Sequence, residues 1–371
     1  MGATSPDVNE DSVVVPAPTA SRMTKLARLT AWFAAALVLA SCVVTALLIF
    51  PGRPADSHSL RFDGYIFLPK VKNAGALTLL DYLTVSGDDL FVASVSTGAV
   101  YKVGLHTRAM PESADVSVFG LEPAAHGVVV DPTSHLAFVT RSEADTVDVF
   151  DPKSMRLVRR IPVATDPDGI FYDPSSKLVY VASSDAKLAT LIDPASQNSL
   201  GTLSLGGKPE FAAFDPETKL IYQNLADTNT VVAVDLTKRS VVQRWLLEGC
   251  EMPTGMAIDA ADRRLFIACG KSAKLVIFDL DLHRVVASVP VGLGPDTVAY
   301  DPELHRIYVT GLVGRLSVMN QVTRDTYHVV DSIYLHFNAH TLAIDPVTHR
   351  LFVGYASLAI QPRLAVFTPN R

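Results

Sequence analysis

An aspartate that closes a short apolar run, usually followed by proline, recurs through most of the chain at an almost fixed spacing. It stands in VVVDP at Asp131, IFYDP at Asp173, AAFDP at Asp215, AIDAA at Asp259, VAYDP at Asp301 and LAIDP at Asp345, in steps of 42, 42, 44, 42 and 44 residues. Such a period, built of strand-length apolar runs with no helical run inside it, predicts a β-propeller. One copy cannot bury both faces of its sheet alone and must stack on its neighbours.

Each copy has the same four phases. In one of them Gly169–Asp173, Lys177–Ala182, Ala189–Pro194 and Asn198–Leu203 each have strand length and β-branched or aromatic content, with Gly, Pro, Asp or Ser at the ends. Four strands make one antiparallel blade. Six copies carry the aspartate and a degenerate one precedes them, with Tyr82–Val85, Asp89–Ala93 and Ala99–Val103 as its strands. The fold class expected is therefore all-β, a seven-bladed propeller of four-stranded antiparallel blades. The last copy ends after its third strand, Leu364–Phe367, and Gly64–Leu68 is the expected donor of the missing outer strand. Closure by both ends of the chain would leave no unpaired seam.

The second strand of each copy ends in a recognisable box: LAFVTRS, LVYVASS, LIYQNLA, LFIACGK, RIYVTGL and LFVGYAS. With the Asp-Pro turn before them, these boxes resemble the YVTN-repeat family of bacterial β-propellers over residues 77–371. No copy has the whole tetrapeptide; Tyr308-Val309-Thr310-Gly311 comes nearest. The resemblance implies the propeller fold and a secreted or surface-attached protein. It carries no particular activity, because a fold hosts many functions.

The front of the chain reads differently. Residues 1–21 are rich in Pro, Ser, Thr, Ala and acids without periodicity, the composition of a disordered tail. Arg22, Lys25 and Arg28 then precede 22 uncharged residues, Leu29–Phe50, a length of roughly 33 Å as a helix and enough to span a bilayer. The expectation is a transmembrane signal anchor over 22–50, a linker over 51–63 and the propeller over 64–371. The basic flank places the propeller outside the cytoplasm, periplasmic or extracellular. Leu39-Ala40-Ser41-Cys42 also fits a lipoprotein cleavage box, and a cleaved secretory signal is a third reading.

A net charge of −6 gives no general attraction to nucleic acid, so no nucleic-acid partner is expected. Two further cysteines, Cys250 and Cys269, fall on the same face of the ring. A disulfide and two buried thiols are both open readings.

One constellation can carry chemistry. The residue that leads into the innermost strand of each blade is, around the ring, Asp81, His126, Asp168, Glu210, Thr254, Asp296 and His340. In a propeller these positions meet at the mouth of the central channel, on the face where blades are joined. Carboxylates brought together there must protonate, pair or bind a cation. With imidazole added, the set suits a divalent metal such as calcium, zinc or manganese, and Asp168, Glu210, Asp296 and His340 are the expected metal ligands. The bland alternative is a water-filled polar mouth. Two functions follow: a membrane-anchored scaffold that binds a small molecule or an envelope protein at the mouth, or a metal-dependent hydrolase, lactonase or lyase that uses the ring.

Overall fold

The computed structural model describes residues 41, 54, 56–71, 77–105, 114–120, 124–354, 357–358 and 361–370. Seven four-stranded antiparallel sheets form the blades of a propeller. From the innermost strand outward, blade 1 is Leu80–Ser86, Asp89–Ser94, Val100–Gly104 and Val116–Phe119. Blade 2 is Ala125–Val130, Ala137–Arg141, Thr146–Asp151 and Arg156–Pro162. Blades 3, 4, 5 and 6 begin at Pro167, Pro209, Pro253 and Pro295 and repeat this order. Blade 7 takes Thr341–Ile344, Leu351–Gly354 and Arg363–Pro369 from the end of the chain and its outermost strand, Leu60–Phe67, from the front. That strand starts at Leu60, ahead of the expected Gly64. It pairs Leu60 with Pro369 and Phe67 with Arg363, so the two ends of the propeller close the ring.

The apolar residues sit between blades. Phe138, Val147 and Val149 of blade 2 meet Val179, Val181 and Ile192 of blade 3, and equivalent clusters fill the other junctions. Ile66, Phe352, Leu364 and Val366 of blade 7 pack on Leu90, Val92 and Tyr101 of blade 1, so the closing junction is as apolar as the rest. Each landmark aspartate has a local cause. Asp131, Asp173, Asp215, Asp301 and Asp345 accept the backbone N–H two residues on, and a residue in the left-handed region follows, such as His135, Lys177, Lys219, His305 or His349. The side chain thus mimics a backbone turn and fixes where each inner strand reverses. The turn residues also link blades: His349 Nδ1 lies 2.8 Å from Asp301 of blade 6, and Arg263 Nη1 lies 2.7 Å from Asp215 of blade 4.

The expected membrane-spanning helix is corrected. Among the described residues no helix is long and apolar enough to cross a membrane. The stretch 22–50 lies outside the described residues apart from Ser41, as do the tail 1–21 and most of the linker. Most of the buried apolar residues lie instead in strands of two to nine residues packed between blades. The membrane-anchored form of the fold and function and the membrane as partner rested on that helix, as did the membrane-anchored placement of the propeller outside the cytoplasm, and none is retained.

Candidate functional site

Six of the ring residues lie within the inner strands, at irregularities in the pairing, and His340 directly precedes the inner strand Thr341–Ile344 of blade 7. In blade 3 the register runs from Pro167 opposite Ser183 to Ile170 opposite Val181, which leaves an extra residue at Asp168-Gly169. Blades 1, 2, 4 and 5 have the same step at Asp81-Tyr82, His126-Gly127, Glu210-Phe211 and Thr254-Gly255. Blade 6 shifts at Asp296. A bulge re-aims a side chain that strict alternation would send toward a neighbouring blade. Close approach of the next blade explains the glycines: a Cβ on Gly255 would sit 2.2 Å from the Asp296 carbonyl oxygen, and one on Gly127 would sit 2.8 Å from the Ile170 side chain.

Buried polar groups from the second strands hold this backbone. Thr140 Oγ1 donates to the Asp168 carbonyl at 2.7 Å, Asn224 Nδ2 to the Thr254 carbonyl at 2.8 Å, and Thr310 Oγ1 to the His340 carbonyl at 2.6 Å. Gln223 Nε2 donates to the Glu210 carbonyl at 2.7 Å within blade 4. The polar residues of the repeated boxes therefore position the ring. Thr254 belongs with them, since its hydroxyl donates to the Pro295 carbonyl at 2.9 Å and is buried.

The ionisable members fall into two arcs. In the first, His126 lies between two carboxylates, with Nδ1 2.6 Å from Asp81 Oδ2 and 3.2 Å from Asp168 Oδ1, while Nε2 meets Ser142 Oγ at 2.9 Å. Burial alone would depress the His126 pKa, but the hydrogen bonds and charges of Asp168 and Asp81 outweigh it and raise the pKa to about 10. Asp168 is itself pushed up by burial and by Asp81, with His126 acting the other way. In the second arc, burial and then the charges of Asp168, Asp296 and Asp81 raise Glu210 to about 8. Asp296 is raised by burial to about 6, held down by His340, whose Nε2 lies 4.0 Å away. His340 Nδ1 donates to the Asn338 carbonyl at 3.0 Å, which turns Nε2 toward Asp296.

Next to the ring residues, two aromatic side chains meet. Tyr82 of blade 1 and Phe211 of blade 4 come from non-adjacent blades and stack across the axis, with ring centroids 4.6 Å apart. Beside the stack lies a cavity of about 170 Å³, lined among others by Ile170, Tyr180 and Gln223. It has room for a few waters but not for an ordinary organic ligand. Neither Tyr82 nor Phe211 stands out in the sequence, because their contact depends on which blades face each other.

Asp81, His126 and Asp168 each offer one ligand atom, all within 4.8 Å of one another, and could hold a divalent cation. The fit has support in the surroundings of Asp168 Oδ1: the atom is buried, and the His126 imidazole 3.2 Å away is the partner it faces, so a cation would take the place of the proton between them. Of the metal ligands expected from the sequence, Asp168 lies in this set. Asp296 and His340 form the pair opposite, and Glu210 stands between them electrostatically. Cys250 and Cys269 form a disulfide that fastens the connection between blades 4 and 5 just ahead of Thr254. Arg141, the last residue of the second strand of blade 2, is fully buried, with Nε 3.1 Å from Asp148 and Nη1 donating to the Gly98 carbonyl.

Comparison with known proteins supports the fold. Hydrazine synthase of Kuenenia stuttgartiensis superposes with a TM-score of 0.65 at 17% identity, over 79% of this chain and 96% of that one. In all, 1588 chains of solved structures match, so the propeller by itself does not single out an activity. No protein-family model and no curated protein matches the sequence. The class defined is a seven-bladed β-propeller with a cluster of Asp and His at one channel mouth.

Proposed function

We propose that the channel mouth is the site of a metal-dependent hydrolase or lyase that opens an ester or lactone. The observation that carries this reading is the convergence of Asp81, His126 and Asp168, from three successive blades, each with one ligand atom within 4.8 Å of the others. A divalent cation held there would polarise a carbonyl or lower the pKa of a bound water. To serve as a ligand, His126 must give up the proton it shares with the two aspartates. At pH 7 this costs roughly 4 kcal/mol for a pKa of about 10, so occupancy rises with pH.

The opposite arc supplies the acid and the base. A symmetric ring of carboxylates would offer no distinction between them. Here burial and charge set the two groups apart, with Glu210 near 8 and Asp296 near 6. At neutral pH Glu210 keeps its proton and can donate it to a leaving alkoxide. Asp296 is ionised, steadied by His340, and can accept a proton from water or from the carbon next to the carbonyl. Hydrolysis and ring-opening elimination both need such an acid and base flanking one C–O bond.

The repeated boxes favour the narrower assignment to the YVTN-like propellers, since Thr140, Asn224 and Thr310 within them hold the ring carbonyls. The functional reading is tested with the full chain loaded with zinc, manganese or calcium and assayed on simple lactones and aryl esters. Turnover that a chelator abolishes and Glu210→Gln reduces about a hundredfold supports it. Turnover that survives both changes refutes it.

A further inference from the structure

The mouth face is not uniform around the ring. Antiparallel blades place two sets of segments on this face: the connections between blades and the loops after each second strand. On blades 2 to 4 these loops are polar. Lys187 pairs with Asp227 at 2.7 Å and Lys208 with Asp185 at 2.8 Å, all partly exposed. Among the described residues, the mouth-face loops of blades 2 to 4 expose no large apolar side chain.

Blade 6 is the reverse. Leu293, in the connection leading into it, is 66% exposed; Leu312 and Val313, after its second strand, are 47% and 38% exposed; Phe337, in the connection leaving it, is 47% exposed. These three loops are fastened side by side, since Leu312 N–H donates to the Gly294 carbonyl and Asn338 N–H to the Leu312 carbonyl, each at 2.9 Å. Gly314 permits this, because a Cβ there would overlap the His336 carbonyl. The same loops run directly into the ring: Gly294 and Pro295 precede Asp296, and Asn338 both precedes His340 and accepts its Nδ1–H. The four apolar side chains thus form one rim continuous with the acid-base arc.

Resting on the hydrolase or lyase reading above, we infer that the substrate carries an alkyl chain that lies on the Leu293, Leu312, Val313 and Phe337 rim, with its ester or lactone group at the ring. The Tyr82–Phe211 stack obstructs the way down the channel and the cavity beside it holds only about 170 Å³, while the Lys and Asp arc of blades 3 and 4 offers an alkyl chain no apolar surface. The rim is the apolar exit beside Asp296 and His340.

The experiment uses the metal-loaded full chain and a series of γ-lactones of increasing alkyl length. Covering a methylene on this rim raises kcat/KM by about two- to fourfold per carbon. In Leu312→Ser with Phe337→Ser the increase per carbon flattens, while melting temperature and metal content stay those of the wild type. Leu293→Ser alone gives an intermediate slope. Metal binding with turnover that does not depend on chain length overturns this inference and leaves the metal-dependent reading intact. Absence of both metal and turnover overturns that reading and this inference with it. If metal binds and no lactone turns over, calorimetry with alkyl hydroxamates of increasing length decides in the same way: affinity that climbs with length and flattens in the double variant supports the rim, and constant affinity refutes it. Sedimentation tests a second copy as occupant, and a dimer that Leu312→Ser dissociates would also overturn the inference.

Discussion

Changing Glu210 to Gln tests the electrostatics of the mouth without removing any group that holds the fold. Glu210 is raised from 4.5 to about 8, first by burial and then by Asp168, Asp296 and Asp81, with Lys208 opposing. Between those two pH values the folded protein keeps a proton that the unfolded chain has released. Stability therefore falls as pH rises from 4.5 through 8. The full difference corresponds to about 5 kcal/mol. Glu210 is only half-buried, and water at the mouth relaxes part of that cost, so about 2 kcal/mol is expected to remain. Gln keeps the shape and carries no charge, so the Glu210→Gln variant should match the wild type at pH 4.5 and exceed it by about 2 kcal/mol at pH 9. Urea unfolding followed through the fluorescence of Trp245, which stacks on His283 at 4.7 Å, reads the difference. A chelator is needed throughout, because a dication beside Glu210 would favour its carboxylate. Parallel stability curves for the two proteins between pH 4.5 and 9 would refute a carboxyl kept neutral by its surroundings.

Other expected outcomes follow from individual contacts. His126, raised to about 10, contributes stability that is complete below pH 6.5 and lost as pH climbs through 10; its imidazole NMR signals should titrate far above the usual range, and Asp81→Asn should bring the midpoint down. Gly255→Ala puts a Cβ 2.2 Å from the Asp296 carbonyl and should cost about 3 kcal/mol in urea unfolding, with the Asp296 backbone displaced. Replacing Cys250 and Cys269 together by Ser opens a loop of sequence separation 19 and should cost roughly 3 kcal/mol under oxidising conditions, a difference that a reductant removes.

Much of the architecture was legible because its determinants are local. An Asp that caps its own turn can be recognised without knowing its neighbours, and Asp131 through Asp345 mark the reversals of six inner strands for that reason. The ring residues could be found from the same period, since a fixed place in each blade becomes a fixed place around the axis. What the chain conceals is interaction between blades. That His126 sits between Asp81 and Asp168, and that Tyr82 reaches Phe211 across the channel, depends on bulges and on blade order. The expected ligand group of Asp168, Glu210, Asp296 and His340 took types from the ring without its adjacencies; the structure gathers Asp81, His126 and Asp168 instead. Thr140 and Asn224 looked like features of a repeat box until their bonds to the next blade's carbonyls gave them a reason. Hydropathy misled at the front of the chain, where an apolar run of spanning length was read as a membrane anchor that no described helix supports.

The central claim is that three side chains from successive blades hold one divalent cation. Elemental mass spectrometry on the full chain, after incubation with zinc, manganese and calcium and exhaustive dialysis at pH 8, measures it directly. The account predicts about one ion per chain, with uptake that falls steeply below neutral pH as His126 regains its proton, and loss of the ion in His126→Ala with Asp168→Asn. A wild-type protein that retains no ion, or one whose metal content is the same in that double variant, would contradict it.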